Sequence, residues 1–514
     1  MSEQASNNKR IAKNTLLLYV RMLVMMVLNL YTSRVVLNAL GVEDYGIYNV
    51  VGGVVSMFTI ISGSLTAAIG RFITFELGRG DKLRMNQVFN ASLTVQIALI
   101  LIITILLESV GLWFLNYKMV IPAERMVAAN WVFHISVITF GISLWSVPYN
   151  ATIIAHEKMS VFAFIGLFDS VAKLAIAFAI LKNPFDRLIY YAVLLFLLGL
   201  FQRFLYAYYC KRHFEECRFR LNFDKKIVAD IFGFSGWNFI GAASTVLRDQ
   251  GGNVIINLFT GPAVNAARGV AMSINHAVSG FVGNFMTALN PQITKSYASG
   301  DHDYMFNLIY KGARFSYYIL LLLALPILFS TQYLLQLWLG TVPEHADTFA
   351  QLILILSLTD ALAHPLVTVM LATGDIKKYQ IIVGGLQLVN VPLYYIFLKL
   401  GYAPECVFII SIIVSLASEV ARVIMLRGMI GLSVRGFSEK VFLNVFVVTV
   451  LAAIIPLVLK VLYGHDNFIF FCVISIVSLI TTALSIYFVG CSKSERKMLL
   501  EYGTKWLKKF RSKE

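Results

Sequence analysis

Repeated apolar runs of 20 or more residues, separated by short charged breaks, constrain this chain more than any other feature. A bilayer core of about 30 Å is crossed by about 20 apolar residues in an α-helix. A helix also satisfies its own backbone polar groups, which lipid cannot do. Runs between charged or Pro/Gly-rich breaks fall at 14–39, 46–70, 89–116, 126–150, 160–182, 187–210, 233–259, 264–290, 315–339, 347–372, 379–399, 404–426, 441–463 and 467–490. The expected fold is an all-α polytopic membrane protein with about 14 transmembrane helices. Composition agrees: 58% of residues are hydrophobic and 14% charged, where soluble chains carry about 25% charged. Segments 46–70 and 264–290 are the weakest matches, being rich in Gly, Ser, Thr and Asn.

Charge sets the orientation. With the N-terminus in the cytoplasm, 29 of the 43 Lys and Arg residues fall in cytoplasmic loops and termini, and 6 fall outside. The positive-inside rule then puts both termini in the cytoplasm and requires an even number of crossings. The net charge of +15 thus faces the anionic inner leaflet. It is spread over many loops and a tail, so a nucleic-acid partner is excluded. Five cysteines lying far apart exclude a secreted disulfide scaffold. The first segment is too long for a cleaved signal peptide and lacks a small-residue cleavage site. From Ser492 the tail alternates Leu499, Tyr502, Trp506 and Phe510 with basic residues. That pattern is either an interfacial helix or a solvated basic tail.

An internal repeat organises the chain. Shifted by 220 residues, 50–85 matches 270–305 at eight of 36 positions without gaps, including Gly63/Gly283, Thr74/Thr294, Gly80/Gly300 and Asp81/Asp301. Six segments lie between the paired hairpins, so the halves share one orientation, a parallel repeat of the kind transporters use. The expected divisions are an N-lobe at 1–220, a C-lobe at 221–436, two extra helices at 437–491 and a basic amphipathic cytoplasmic tail at 492–514.

The stretch "SRVVLNALGVEDYGIYNVVGG", Ser33 to Gly53, resembles the first hairpin of bacterial polysaccharide and O-antigen repeat-unit flippases. There an Arg near the end of the first helix precedes a Leu-Gly-x-x-x-Tyr/Phe-Gly turn. These flippases form the polysaccharide transporter branch of the multidrug/oligosaccharidyl-lipid/polysaccharide exporter (MOP) superfamily. The resemblance implies two six-helix lobes around a central cavity, alternating access, and a polyprenyl-diphosphate-linked oligosaccharide as cargo.

Ionisable residues inside the segments are candidates for that task, since each costs about 2.5–3.5 kcal/mol at a bilayer centre on insertion scales. Arg21 lies about two turns into the first segment; Arg34 and Arg268 lie near outer ends. Each either snorkels to the interface or faces the cavity and binds the lipid diphosphate, to which a guanidinium is suited by bidentate hydrogen bonding and permanent charge. Arg203 and Arg314 lie near the cytoplasmic edge and are expected to snorkel. Segment 233–259 is the least lipid-like, with Arg248, Asp249, Asn253 and Asn257, and 264–290 adds Asn275. Such side chains do not face lipid tails, and amides suit sugar hydroxyls. Arg248 and Asp249 are adjacent and point about 100° apart, so they are expected not to meet one partner together. Gly251-Gly252 offers a bend. Asp249, Asp360 and His364 are candidates for ion or proton coupling; Asp360 and His364, at i, i+4 beside Pro365, read otherwise as a structural hydrogen bond. Asp169/Lys173 and Glu419/Arg422 read as internal ion pairs.

His and Cys do not cluster at metal-ligand spacing, and no Walker loop, G-x-S-x-G or H-E-x-x-H occurs. No metal, cofactor or enzymatic activity is expected. The reading is a flippase of the bacterial cytoplasmic (inner) membrane serving polysaccharide and lipopolysaccharide biosynthesis. Its expected partners are the lipid-linked oligosaccharide, membrane lipid, H⁺ or Na⁺ as coupling ion, and glycan polymerase or other assembly proteins. Two alternatives stand: an ion-coupled multidrug/cation antiporter of the same superfamily, and a membrane enzyme of glycan assembly. The first segment has no carboxylate for cation exchange, and no predicted outer loop is long enough for a catalytic domain.

Overall fold

The computed structural model describes residues 3–56, 59–117, 121–181, 186–218, 224–260, 262–339, 342–463 and 467–496. In chain order the helices are α1 (Glu3–Ser56), α2 (Thr59–Arg79), α3 (Lys82–Leu106), α4 (Leu112–Tyr117), α5 (Met126–Ala155), α6 (Met159–Leu181), α7 (Arg187–His213), α8 (Lys225–Thr260), α9 (Pro262–Ala298), α10 (His302–Phe329), α11 (Thr331–Leu339), α12 (Ala346–Thr373), α13 (Lys377–Lys399), α14 (Cys406–Ile430), α15 (Val434–Phe437), α16 (Asn444–Tyr463) and α17 (Phe468–Ser485). No strand occurs among the described residues. Most of the expected tail helix, including Leu499, Tyr502, Trp506 and Phe510, lies outside the described residues.

Eleven described stretches are long and apolar enough to cross a membrane. The remaining expected segments, 46–70, 233–259 and 264–290, lie in α1–α2, α8 and α9, and are helical although more polar. Together they account for the fourteen expected helices. α1 contains the first expected segment and the start of the second, joined at Gly41 with φ 80° and ψ 169°. Only glycine adopts that backbone without strain, which is why the Leu-Gly pair marks the turn.

Contacts divide the chain into two compact units, Met1–Ala243 with Thr287–Tyr304, and Ser244–Met286 with Met305–Glu514. α8 and α9 each contribute to both units. In the first, α1 packs on α6 and α5 on α7; in the second, α14 packs on α12 and α13, and α16 on α17. The α16–α17 pair shows how burial is arranged. α16 buries Val445, Val448 and Ala452; α17 buries Ser478, Thr481 and Thr482, with the Thr481 hydroxyl donating to the Ala452 carbonyl at 2.9 Å. Phe446, Val450, Ile454, Leu457 and Val461 point outward and are exposed. Small and polar side chains inside with large apolar ones outside is the arrangement a lipid solvent favours; in water such a face would associate.

The repeat detected at a shift of 220 residues recurs as geometry. Gly80 and Gly300 both have positive φ, 75° and 77°, and end α2 and α9. Asp81 then accepts from the Arg84 amide at 2.9 Å, and Asp301 from the Tyr304 amide at 3.1 Å. A left-handed glycine closes one helix and a carboxylate caps the next, so the matched "GD" pairs build the same tight turn twice.

Two charged nodes hold unit 1. In the turn between α5 and α6, Glu157 has φ 57°, and its carboxylate, 1% exposed, meets Arg10 at 2.7 Å and Lys295 at 2.8 Å. The Gln292 amide donates to it at 2.7 Å, and the Asn14 amide to the Glu157 carbonyl at 3.4 Å. The second node joins α1, α5 and α7. Arg125 forks to Asp44, at 2.7 Å twice, and to Asp186, at 2.6 and 3.2 Å. Asp186 also caps α7 through the amides of Leu188 and Ile189. Burial alone would push its carboxyl up, but Arg125 and the α7 amides outweigh burial and hold it below the usual carboxylate range. Glu216, paired with His156 at 2.5 Å, behaves alike: burial raises it, the His156 hydrogen bond and its own backbone amide lower it, and the net shift is down.

Two predictions follow from these nodes. Glu157→Ala strands Lys295 without its anion, and removing one member of a buried ion pair costs about 3–5 kcal/mol; thermal unfolding of the purified protein in lipid nanodiscs measures the loss. Carboxyls depressed by folding contribute stability above their unfolded pKa and lose it as pH falls through the depressed folded value. The melting temperature therefore drops below the usual carboxylate range. Asp186→Asn flattens that acid limb and lowers stability at neutral pH by up to about 1 kcal/mol through the lost ion pair with Arg125, since asparagine caps a helix as well as aspartate does.

Candidate functional site

The polar residues of α8 and α9 converge within unit 2. Arg248 and Asp249 from α8, Arg268, Met272 and Asn275 from α9, Ser357 and Asp360 from α12, Tyr394 from α13, and Phe408 and Ser411 from α14 line one recess. Its apolar lining is Met272, Ile353, Leu356, Val407 and Phe408; Val407 and Tyr394 also belong to a buried cluster with Ile255, Ile256, Leu398 and Ile410.

Glycine lets this assembly close. A Cβ on Gly252 would stand 3.3 Å from the Tyr394 ring and 3.5 Å from Arg268 Nη2, and one on Gly251 would stand 3.1 Å from Val391. α13 and the Arg268 guanidinium therefore lie against the α8 backbone. α8 is one unbroken helix through both glycines, so they serve close approach rather than the expected bend.

The charges pair unevenly. Arg248 Nε meets Asp249 Oδ1 at 2.9 Å and its Nη1 lies 3.8 Å from Asp360 Oδ2; Nη1 also donates to Gln387 Oε1 at 3.1 Å. The two adjacent residues pair with each other and line one recess while α8 stays wound. The long arginine side chain folds back along the helix, which the 100° Cβ separation does not prevent. At an effective dielectric of 20, a charge pair about 4 Å apart attracts by about 4 kcal/mol. That offsets the cost of holding Arg248 in a membrane helix. Arg268 differs. It is 8% exposed, its Nη2 donates to the Asp249 backbone carbonyl at 2.7 Å, and its Nε is buried with no hydrogen-bond partner. It neither snorkels nor meets a carboxylate.

Hydroxyls and amides complete the recess. The Asn275 carbonyl oxygen accepts from the hydroxyls of Ser357 and, at 2.9 Å, Ser279, which leaves its NH₂ group to donate elsewhere. Asp360 Oδ1 accepts from Ser415 at 2.5 Å, and Tyr394 bonds Ser411 at 2.5 Å. Gln387 links Arg248 onward to Ser418 at 3.2 Å.

Of the residues expected from sequence, Arg248, Asp249, Arg268, Asn275 and Asp360 come together here. Asn253 is half-buried in α8 and does not line the recess. His364 is exposed on α12, and the Asp360 carboxylate is engaged by Ser415 and Arg248, so the expected Asp–His hydrogen bond does not form. Arg21 belongs to unit 1, stacked 4.1 Å over the Phe162 ring. A Cβ on Gly166 would come within 2.6 Å of its Nε. The side chains of Arg34 and Asn257 lie outside the described residues.

The expected internal pairs form: Lys173–Asp169 at 2.8 Å and Arg422–Glu419 at 2.8 Å. Arg203 and Arg314 depart from snorkelling. Arg203 stacks 4.5 Å over Trp145 and 4.0 Å over Tyr149, and Arg314 bonds Glu495 at 2.9 Å and the Gly490 carbonyl at 3.0 Å. Sequence reasoning missed Ser357, Tyr394, Ser411, Ser415 and Gln387. A signal existed, because Ser411, Ser415 and Ser418 recur at i, i+4, i+7 in an otherwise apolar helix.

These features can be set beside known proteins. A family model described as "Polysaccharide biosynthesis protein" matches residues 11–297. Among curated proteins nothing matches. Solved structures share the fold. A multidrug resistance MATE family transporter of the MOP superfamily, in an outward-facing conformation, aligns with TM-score 0.71 and 15% identity over 82% of this chain and 95% of that one. A MATE protein in a bent conformation aligns with TM-score 0.72 and 14% identity over 82% and 96%. A MOP superfamily transporter from Pyrococcus furiosus, described as having a binding pocket of reverse polarity that suggests a different function, aligns with TM-score 0.69 and 15% identity over 82% and 95%. With more than half of its length matched by that model and its helices in the MATE transporter arrangement, this multi-pass membrane protein belongs to the polysaccharide biosynthesis protein family, on the transporter fold of the MOP superfamily.

Proposed function

We propose that this chain is a flippase that carries a polyprenyl-diphosphate-linked oligosaccharide from the inner to the outer leaflet of the bacterial cytoplasmic membrane, for assembly of surface polysaccharide such as O-antigen. One observation carries the reading: in a member of a polysaccharide biosynthesis family, Arg268 is a buried guanidinium without a carboxylate, set in a recess lined by an amide and hydroxyls. A few placed polar groups against apolar side chains are what ligand sites present. A permanent cation matches an anionic cargo.

In this reading both termini are cytoplasmic. The lobes are 1–220 and 221–436, with 437–491 and the tail from 492 added. Arg21 and Arg34 of the first lobe and Arg248 and Arg268 of the second meet the anionic head group as access alternates, while the prenyl tail stays in lipid. Asn253, Asn257 and Asn275 offer amides to sugar hydroxyls. Asp249, Asp360 and His364 are the candidates for an H⁺ or Na⁺ that drives the cycle, and a glycan polymerase is the natural downstream partner.

A second reading has one observation in its favour. The fold is shared with multidrug MATE transporters, and Asp249 and Asp360 place two carboxylates in the recess. Against it, Arg248 engages both carboxylates, so no acidic group is left unshared for a cationic drug.

Deleting the gene is expected to accumulate prenyl-diphosphate-linked oligosaccharide, seen by mass spectrometry of extracted lipid, and to remove surface glycan. Unchanged lipid and glycan together with raised drug susceptibility would favour the antiporter instead. Arg268→Ala is expected to reduce complementation of that strain at least about tenfold, a loss of about 1.4 kcal/mol or more in effective cargo binding, with the protein still present in the membrane by immunoblot.

A further inference from the structure

The recess in unit 2 holds two guanidiniums and two carboxylates. Arg248 is shared by Asp249 and Asp360, and Arg268 has only a backbone carbonyl, with its Nε unpartnered. We propose that this recess is the saccharide subsite of the transporter and that it takes a monosaccharide bearing one carboxylate, a uronate, with that carboxylate on Arg268, rather than the lipid diphosphate. The proposal deepens the flippase reading and rests on it for the identity of the cargo.

Charge and hydrogen-bond capacity both separate the two ligands. The two guanidiniums and two carboxylates already balance, so a ligand carboxylate adds one net negative charge, and it is met at Arg268, which no carboxylate pairs. The further charges of a diphosphate would face Asp249 and Asp360 in a low-dielectric site, where like charges disfavour one another. A diphosphate also presents only acceptors, so it has no use for carboxylates. A sugar hydroxyl both donates and accepts. Asp360, 38% exposed in its side chain, accepts from such a hydroxyl. The Asn275 NH₂ group, freed because its carbonyl oxygen is taken by Ser357 and Ser279, donates to another. Phe408 and Met272 supply apolar contact for the ring. Arginine meets a carboxylate with charge-assisted hydrogen bonds, and the orphaned Nε of Arg268 supplies such a donor.

The full chain in lipid nanodiscs is titrated calorimetrically with glucuronate, galacturonate, glucose, galactose and inorganic pyrophosphate. The expected result is that each uronate binds at least about tenfold more tightly than its neutral hexose. Arg268→Gln erases that difference and Arg268→Lys preserves it, both variants melting as the parent does. Should Arg268→Gln fail to fold, Asn275→Ala replaces it. This variant leaves every charge in place and weakens acidic and neutral sugars alike. Equal binding of acidic and neutral sugars, no sugar binding by folded protein, or pyrophosphate binding tighter than either uronate and lost in Arg268→Gln would each overturn the proposal, the last by reassigning the site to the diphosphate. The flippase reading fails separately. Lipid-linked cargo that accumulates in the deletion strain without any acidic sugar removes the uronate and keeps the flippase. Uronate binding without accumulated cargo does the reverse.

Discussion

A charge inside a membrane helix must find a countercharge or a polar partner, because lipid offers neither. Most of this molecule's internal charges obey that constraint locally. Lys173 finds Asp169 and Arg422 finds Glu419 on their own helices. Arg203 lies on two aromatic rings, and Arg314 reaches a carbonyl and a glutamate near the C-terminal end. Against that background Arg268 stands apart. It is as buried as Arg422, but it leans on a peptide carbonyl, whose partial charge compensates far less than a carboxylate. Arg21 and Arg203 also lack a carboxylate, but each lies on an aromatic ring; Arg268 instead faces a recess lined by hydroxyls and an amide.

Close approach makes the site possible. The Tyr394 ring settles on the bare backbone at Gly252, where a Cβ would stand only 3.3 Å from it, and Arg268 Nη2 lies in ordinary contact with the same position at 3.5 Å. The Tyr394 hydroxyl is then held by Ser411, and the Asp360 carboxylate by Ser415 one turn further along α14. The recess therefore has a supporting layer of hydrogen bonds behind its charged groups. Such layers hold side chains in place when the ligand is absent, so less order has to be gained on binding.

Helix number, the turn at Gly41 and the matched turns at Gly80 and Gly300 were legible in the sequence. They follow from run length and from a residue type that alone accepts positive φ. The i, i+3 and i, i+4 ion pairs were legible for the same kind of reason, since spacing on one helix fixes which side chains can meet. The site was legible in part. Arg248, Asp249, Arg268, Asn275 and Asp360 stood out because they are costly in a membrane. Their neighbours Ser357, Tyr394 and Ser411 did not, because a hydroxyl in an apolar helix is commonly satisfied by its own backbone. Ser357 also bonds the Ile353 carbonyl and Ser411 the Val407 carbonyl. The reading of His364 as a partner of Asp360 failed, although i, i+4 brought them near. The carboxylate turned to Ser415 and Arg248 on other helices, which no spacing within α12 could reveal.

By itself the sequence determined that the chain is a bundle of about fourteen membrane helices with a repeated hairpin. Those properties depend on hydrophobic length and on local backbone chemistry, each confined to a few dozen consecutive residues. Only the tertiary structure decided which charges pair with a countercharge and which, like Arg268, rest on a backbone carbonyl. That outcome depends on groups from α8, α9, α12, α13 and α14 meeting in one recess, residues from Arg248 to Ser411 that lie 163 positions apart along the chain. The pairing energy of a buried charge is a property of the atoms around it in space, and the order of the chain does not list them.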